Sequence, residues 1–478
     1  MSSNIKHVKN GFSQEMNGWL YVSIKGTPTE RGYAYGQLVA DEMKNIFKMV
    51  KYTTYEDTGK PWDFFVDLST KMLKPTIQEH FLEYYQEMEG FAKGCTDAGT
   101  ETSLDEIIAW NNSMSLTGYV YPNIGNGDTS SKRPGGEGGA PDKCSSFIAV
   151  GDYTHDGKIV IAHNDFANFV DGQYGRVIID IQPTSGCRFL MQGTIGWMWS
   201  GSDFFVTQYG FVGSETTIGG FLPYENNYPI SCRIRQAIQY GKTLDDYEKI
   251  LLDGNSGDYA SSWLFGDINT NEIMRIELGL KYHNTEKTKN GYFIGFNATY
   301  DPRIRNLECA NSGFDDIRRH QGSRRVRLAD LMEEHKGNID IEVAKLIIAD
   351  HYDVYLNKEN PCSRTVCAHY DLDAREFMSQ SDRPKPYQPR GAINGKVCDT
   401  TMAKNVSFYG RYGNSCGIPF NKENFCNQHR EWGFLKPYLH DRPQQPWTLC
   451  IIDTPAKQNK TRSHKKRALN KKTIKYRK

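Results

Sequence analysis

Hydrophobic and polar positions along this chain fall into three textures. Trp19-Leu-Tyr-Val-Ser-Ile24 reads as a short strand. From Tyr33 the period changes. In YAYGQLVADEMKNIFKMV, apolar side chains recur every three or four residues, the spacing of one helix face. Phe64 to Ala92 keeps that spacing with an interruption near Pro75, whose ring removes a backbone donor. Ser103 is followed three residues later by Glu106, a reciprocal capping pair that opens a helix over IIAWNNSMSL. The first 122 residues are therefore expected to be a helical segment with one short strand.

The second texture is Asn123–Lys143, NIGNGDTSSKRPGGEGGAPDK, which has almost nothing to bury and reads as an exposed linker. The third begins at Cys144. CSSFIAV, KIVIAH, RVIIDI, RFLMQGTIGWMW, FFVTQYGFVGS, SSWLFGDI and GYFIGFN are short β-branched and aromatic runs divided by turn residues. Antiparallel strands in series explain them most simply. Helices return near Leu244–Leu252 and Ile341–His351. The stretch Asn357–Cys450 is irregular, rich in Pro, Gly and aromatics, and is expected to wrap over the core.

Composition narrows the classes. With 478 residues, 38% hydrophobic and 12% aromatic, the chain can bury a substantial core and is not a disordered sequence. It is long enough for two domains or one large layered fold. No run of 18 apolar residues occurs, so no membrane-spanning helix is expected. The first twenty residues lack an apolar core of the signal-peptide kind, which makes a cytoplasmic location and reduced thiols the default expectation. The 11 cysteines include no C-x-x-C pair. The net charge of +1 conceals an asymmetry: residues 457–478 carry 11 Lys and Arg and no acid, so the remainder stands at 47 basic against 57 acidic. That boundary marks 457–478 as a basic disordered tail. It suits contact with nucleic acid or an anionic membrane surface, and equally a solubilising extension.

The order helices, linker, cysteine, strands suggests one chemistry. If the Lys143–Cys144 bond is cut, Cys144 becomes an N-terminal residue whose α-amine serves as base for its own thiol. The same thiol can make the cut by attacking the preceding carbonyl, and an exposed linker lets the new ends separate. A buried strand cysteine behind an ordinary linker would give the same local pattern.

Further motifs bear on that choice. Cys144-Ser-Ser-Phe-Ile, Asp156-Gly-Lys-Ile-Val-Ile-Ala-His163-Asn164-Asp165-Phe166 and the run Gly201–Gly219 resemble the phospholipase B-like (lamina-ancestor) family of N-terminal-nucleophile hydrolases. Asn255-Ser-Gly257 with Trp263, Gly295-Phe-Asn297, Cys362-Ser-Arg364, Gly391–Val397 and Met402-Ala-Lys404 resemble it in order. Arg31-Gly-Tyr-Ala-Tyr-Gly36 resembles the related penicillin acyltransferase-like peptidases. The blocks span residues 19 to 450. Many family members have His-Asn-Thr-Trp where this chain has His163-Asn164-Asp165-Phe166, and members usually carry a signal peptide and work in lysosomes or outside cells.

The resemblance implies an α+β, αββα sandwich of stacked antiparallel sheets flanked by helices, with a catalytic domain over 144–456. It implies hydrolysis of an amide or ester bond in an acylated lipid or small molecule, without metal or organic cofactor. Cys144 is the expected nucleophile and Lys143–Cys144 the self-cleavage site. His163 would tune the thiol or polarise the substrate, or else be a satisfied core histidine. A wide loop over Gly151–Gly157 pairing Val150 with Lys158 would set Cys144 opposite Asn164, beside His163. Thr216 could bind the substrate carbonyl or orient the amine, or be simple strand chemistry. Asn297 could donate to the oxyanion, or be a turn residue. The family's arginine falls near Arg319 by counting back from Ser323-Arg-Arg325.

Other readings stay open. Gly413-Asn-Ser415-Cys-Gly417 matches the G-x-S-x-G pattern of a serine nucleophile, which needs a strand before it and a helix after it. A catalytically silent relative, anchored by its tail, is a non-enzymatic alternative. His351 and His369 each open a His-Tyr-Asp triplet, but they lie 18 residues apart in unlike contexts, and no metal ligand set is assigned.

Overall fold

A computed structural model describes residues 5–124, 143–201, 204–310, 313–375 and 386–453. The expectations for most of the linker and for the basic tail lie outside these residues.

The alternation of side chains along the strands builds four layers. Val22, Ile179, Phe211 and Phe265 point from one face of a ten-stranded sheet into a core shared with the N-terminal helices. Their neighbours Tyr21, Ile178, Val212 and Leu264 point the other way and meet Ile148, Ile161 and Phe408 of a six-stranded sheet. The far face of that smaller sheet, through Phe147, Ala162 and Ile294, packs on Leu328 and Ile347 of two helices, His320–Glu334 and Ile341–Ile348. Strands buried on both faces read as nearly continuous apolar runs, which is why the texture changes so abruptly at Cys144. The expected αββα sandwich is therefore present.

The large sheet runs in the order 5–8, 11–16, 19–26, 177–183, 189–193, 205–207, 211–217, 261–267, 272–278 and 283–288. The helical segment expected over 1–122 in fact opens with three strands, because Gly11–Met16 and its neighbours pair as hairpins. Trp19–Gly26 then lies beside Val177–Pro183 in parallel, so the sheet is not wholly antiparallel. Residues 390–399, placed among the wrapping segments by their glycines and polar side chains, form a ten-residue strand inside the small sheet, between Val160–Asn168 and Ser407–Tyr412. Every residue from Arg390 to Cys398 is buried.

Helix Pro28–Thr58 starts on a complete capping box between Thr27 and Glu30, and helix Leu104–Asn111 on the one between Ser103 and Glu106. The Arg31-Gly-Tyr-Ala-Tyr-Gly36 motif is structural. A Cβ at Gly32 would stand 1.9 Å from the Glu87 carbonyl oxygen and one at Gly36 2.2 Å from that of Phe91, so only glycine lets Pro28–Thr58 lie this close to Leu82–Asp97. Arg31, fully buried, pairs with Glu87 at 2.6 Å and Glu83 at 2.7 Å.

The hairpin that carries Cys144 differs from expectation by one residue. Cys144 pairs with Asp165, Ser145 with Asn164 and Ser146 with His163. The turn takes up the extra residue because Thr154 bridges to Ile339 and the His155 N–H donates to the Ile339 carbonyl at 3.1 Å, drawing the loop onto the flanking helices. In a strand pair one residue of slip exchanges the faces. The observed register puts Cys144, Ser146, His163 and Asp165 on the face toward the large sheet, and Ser145 and Asn164 on the face toward the helices.

Candidate active site

Cys144 is the first residue of its strand and 1% exposed. Its thiol donates to Glu215 Oε1 at 3.6 Å, and Tyr259 donates its hydroxyl to the same oxygen at 2.7 Å. A ring nitrogen of His163, the Cys144 sulfur and a Glu215 carboxylate oxygen all lie within 4.8 Å of one another. His163 Nε2 is 3.0 Å from the Glu215 backbone carbonyl, which can only accept, so Nε2 carries the proton and Nδ1 the lone pair. Among the described residues Nδ1 has no hydrogen-bond partner.

Burial governs the charge states. It pushes the Cys144 thiol well above its ordinary value, and the Glu215 and Asp165 carboxylates push it the same way. It holds His163 well below the usual imidazole range, with the Lys396 ammonium on the neighbouring strand adding to the effect, so the ring is neutral. It raises the Glu215 carboxyl to about 7 against the Tyr259 hydrogen bond. A protonated thiol therefore faces two acceptors, a neutral imidazole and a carboxyl that changes charge near neutrality.

The bond before Cys144 is held as well. The Phe166 N–H donates to the Lys143 carbonyl oxygen at 2.5 Å. A cavity of about 240 Å³ opens at this point, lined by Lys143, Asp165 and Phe166 on one side and by Trp110 and Met114 of the N-terminal helices on another. Tyr259, Thr217 and Arg390 add polar groups to its wall.

Asn297 closes the strand Gly291–Gly295 at positive φ (67°) and is fully buried. Its amide donates to the Thr217 carbonyl at 2.9 Å, and its Oδ1 accepts from Arg324 at 2.6 Å. The arginine fixes which end of the amide is the donor, and among the described residues one acceptor, the Thr217 carbonyl, is seen for its two N–H groups. Arg324, itself buried, also donates to the Ser363 carbonyl at 3.0 Å and lies over the Phe166 ring. Arg319 sits five residues earlier, at the N-cap of the same helix, beside Gly313. Thr216 is buried, and a Cβ at Gly295 would stand 2.5 Å from its side chain, so Gly295 makes its room. Among the described residues no partner is seen for Thr216 Oγ1.

Two side chains of the candidate site escape a reading of the sequence. Glu215 looks like an exposed strand acid, although an acid inside a run buried on both sides was the signal. Arg324 stands in Arg324-Arg-Val-Arg327, where helical burial and not spacing singles out one member. Ser415 is no nucleophile elbow: its loop leads to no helix until Lys422–Gln428, and its buried hydroxyl is spent on Asn164 Oδ1. His351 and His369, 18 residues apart in sequence, lie with their Nε2 atoms 3.2 Å apart and Cys367 and Cys416 around them. These four and the trio Cys144, His163 and Glu215 are the groups of side chains among the described residues able to hold a metal ion.

No family model matches the chain. A curated protein of Archaeoglobus fulgidus, described as an uncharacterized protein, is 22% identical over 267 residues, covering 52% of this chain and 41% of that protein. The match thus spans well under half of that relative's length. Among solved structures, the crystal structure of a mutant conjugated bile acid hydrolase from Clostridium perfringens aligns with a TM-score of 0.34 and 12% identity, over 56% of this chain and 89% of that one. Among the described residues no helix is long and apolar enough to cross a membrane.

Proposed function

We propose that this chain is an N-terminal-nucleophile hydrolase that cuts itself before Cys144 and then hydrolyses an amide or ester bond. The observation that carries the reading is the setting of the Lys143–Cys144 bond. A thiol, a carboxyl poised near neutrality and an imidazole nitrogen without a partner among the described residues meet at one end of it. A backbone N–H holds its carbonyl, and a cavity opens beside it.

In the first reaction the Cys144 thiol gives its proton to the Glu215 carboxylate or His163 Nδ1, and the sulfur attacks the Lys143 carbonyl carbon. Phe166 N–H takes the developing oxyanion. The proton passes to the departing nitrogen, leaving a thioester at Lys143 and a free α-amine on Cys144. Water then hydrolyses the thioester. In the second reaction that α-amine is the base for the thiol. The thiol attacks the carbonyl of a bound substrate, the oxyanion meets the spare Asn297 N–H, and the acyl-enzyme is released by water. Arg324 is a positioning residue that holds the Asn297 amide, one turn and a half beyond the Arg319 that the resemblance implies. Thr216 sits beneath Gly295 and is kept as a contributor to the substrate side.

The apolar and aromatic cavity wall, together with the motif resemblance, supports an acylated lipid or small molecule, as in phospholipase B-like enzymes. The tail 457–478 is assigned to polyanion contact by its charge. Removing it should abolish binding to DNA or anionic vesicles, and equal binding at about 50 mM salt would reduce it to a solubilising extension.

The test of self-cleavage is an incubation of purified protein followed by mass spectrometry. Fragments 1–143 and 144–478 are expected, the second with a free Cys144 amine. A chain that stays whole across pH and is inert toward acyl substrates would favour the silent-relative reading.

A further inference from the structure

His351, Cys367, His369 and Cys416 come from three loops behind the nucleophile hairpin. His351 follows helix Ile341–Ile348, Cys367 and His369 lie in the turn before Tyr370–Leu372, and Cys416 follows strand Ser407–Tyr412. Their ligand atoms all lie within 4.8 Å of one another. His369 Nε2 is 3.2 Å from His351 Nε2, 3.5 Å from Cys367 Sγ and 3.4 Å from Cys416 Sγ.

Hydrogen bonding does not account for this. One imidazole nitrogen has a single proton or a single lone pair, so it can satisfy one of these three neighbours. A tetrahedral ion satisfies all of them. Zinc–nitrogen bonds of about 2.0–2.1 Å and zinc–sulfur bonds of about 2.3 Å place ligand atoms about 3.3–3.8 Å apart along the tetrahedron's edges. The three observed separations match those edges to within about 0.2 Å. The other nitrogen of His369 faces Asp371 Oδ1 at 3.7 Å, the arrangement of a carboxylate behind a metal-bound imidazole. Cys416 also donates its S–H to Asn414 Oδ1 at 3.0 Å, a proton that leaves when the sulfur becomes a ligand.

We propose that His351, Cys367, His369 and Cys416 form a zinc(II) site. Two imidazoles and two thiolates complete four-coordination without an open position, so the site is structural and not catalytic. Its place says what it holds. Ser415, next to Cys416, donates to Asn164, and Asn164 in turn binds the Val366 carbonyl next to Cys367 at 3.0 Å. The ion pins three loops against the rear of the hairpin that presents Cys144. This assignment is independent of the hydrolase reading and would hold in a chain that never cleaves itself.

The experiment is metal analysis of the full chain, purified without chelator and passed through gel filtration. One zinc per chain is expected, and the Cys367→Ser and Cys416→Ser variants should lose it while Cys187→Ser keeps it. Replacement by cobalt(II) should give the thiolate-to-cobalt charge-transfer band and the intense visible bands of a tetrahedral sulfur site, a signature that does not depend on any variant folding. Folded full-length protein without stoichiometric zinc after zinc is supplied, an octahedral cobalt spectrum, or a Cys367–Cys416 disulfide in the native protein would each overturn the assignment.

Discussion

The two faces of the hairpin that carries Cys144 are built on opposite rules. On the face toward the helices, Asn164 is buried and saturated: its amide reaches Ser145 Oγ, the Ile348 carbonyl and the Val366 carbonyl at 2.7–3.1 Å, and its oxygen accepts from Ser415. On the face toward the large sheet, His163 Nδ1 has no partner among the described residues, and neither does Thr216 Oγ1 on the facing strand. Burying a polar atom without a partner costs about 1–3 kcal/mol, a cost that is tolerated where something else is meant to use the atom. One side of the ribbon is thus a fixed mount and the other a set of groups held ready, separated by the thickness of a single strand.

That contrast is broken most sharply at Cys144. Cys144→Ala should abolish both self-cleavage and hydrolysis, since no other group supplies the sulfur, while the chain folds and stays whole on a denaturing gel. Efficient cleavage in that variant would mean an external protease makes the cut. Next comes Asn297→Ala, expected to lower turnover by about 10²–10³-fold in protein already cut, as loss of an oxyanion donor does elsewhere. Near-normal turnover would remove Asn297 from the reaction. On the rear face the expected sign is different. Asn164→Ala takes the donor from the Ile348 carbonyl and the acceptor from the Ser415 hydroxyl, while the Val366 carbonyl keeps its bond from Ser145, and should lower unfolding stability by about 1–3 kcal/mol for each group left without a partner, with a smaller proportional effect on the chemistry. If chemical denaturation shows no loss, the mount is not the source of rigidity.

The smallest effect separates the faces by pH. The folded Glu215 carboxyl titrates at about 7, above the roughly 4.3 of an unfolded glutamate. Between those values the folded chain binds the extra proton, so the stability contribution of this group falls as pH rises from about 4.3 through about 7 and then levels off. Glu215→Gln, made in the uncleavable Cys144→Ala background, should therefore flatten the decline of melting temperature between pH 5 and 8. Parallel curves for the two proteins would show that Glu215 titrates as an ordinary acid.

Much of this arrangement can be read before any coordinates. The apolar periods locate the long N-terminal helices, and Leu244–Leu252 is a helix with those same ends. The linker-then-cysteine order points to Cys144, and the hairpin to His163. Register is harder, because a turn's residue count depends on what the turn packs against, here Ile339 from far along the chain. The strand at 390–399 is hidden by composition: Gly391, Asn394, Gly395 and Lys396 discourage a strand reading, and they are tolerated because their neighbours bury and bond them. Lys396, for instance, donates to Gln192 Oε1 at 3.1 Å. The His351, Cys367, His369 and Cys416 cluster is out of reach of any spacing rule, since a metal set on one or two adjacent turns leaves a short motif and one gathered from three loops does not.

The parallel pairing of Trp19–Gly26 with Val177–Pro183 has a consequence for the molecule after a cut at Lys143. A strand from the first fragment would be interior to a sheet whose later members belong to the second, and Trp110 and Met114 would still line the cavity. Cutting then removes no part of the protein; it changes the order of its folding reaction. An intact chain folds in a unimolecular step, whereas the two fragments must find each other, so the stability of the cut form rises with its concentration. Gel filtration would report one particle where a denaturing gel reports two. Once separated by heat or denaturant, the fragments would recover the sheet slowly or not at all, and the mature form would be protected by its rate of opening and not by its equilibrium.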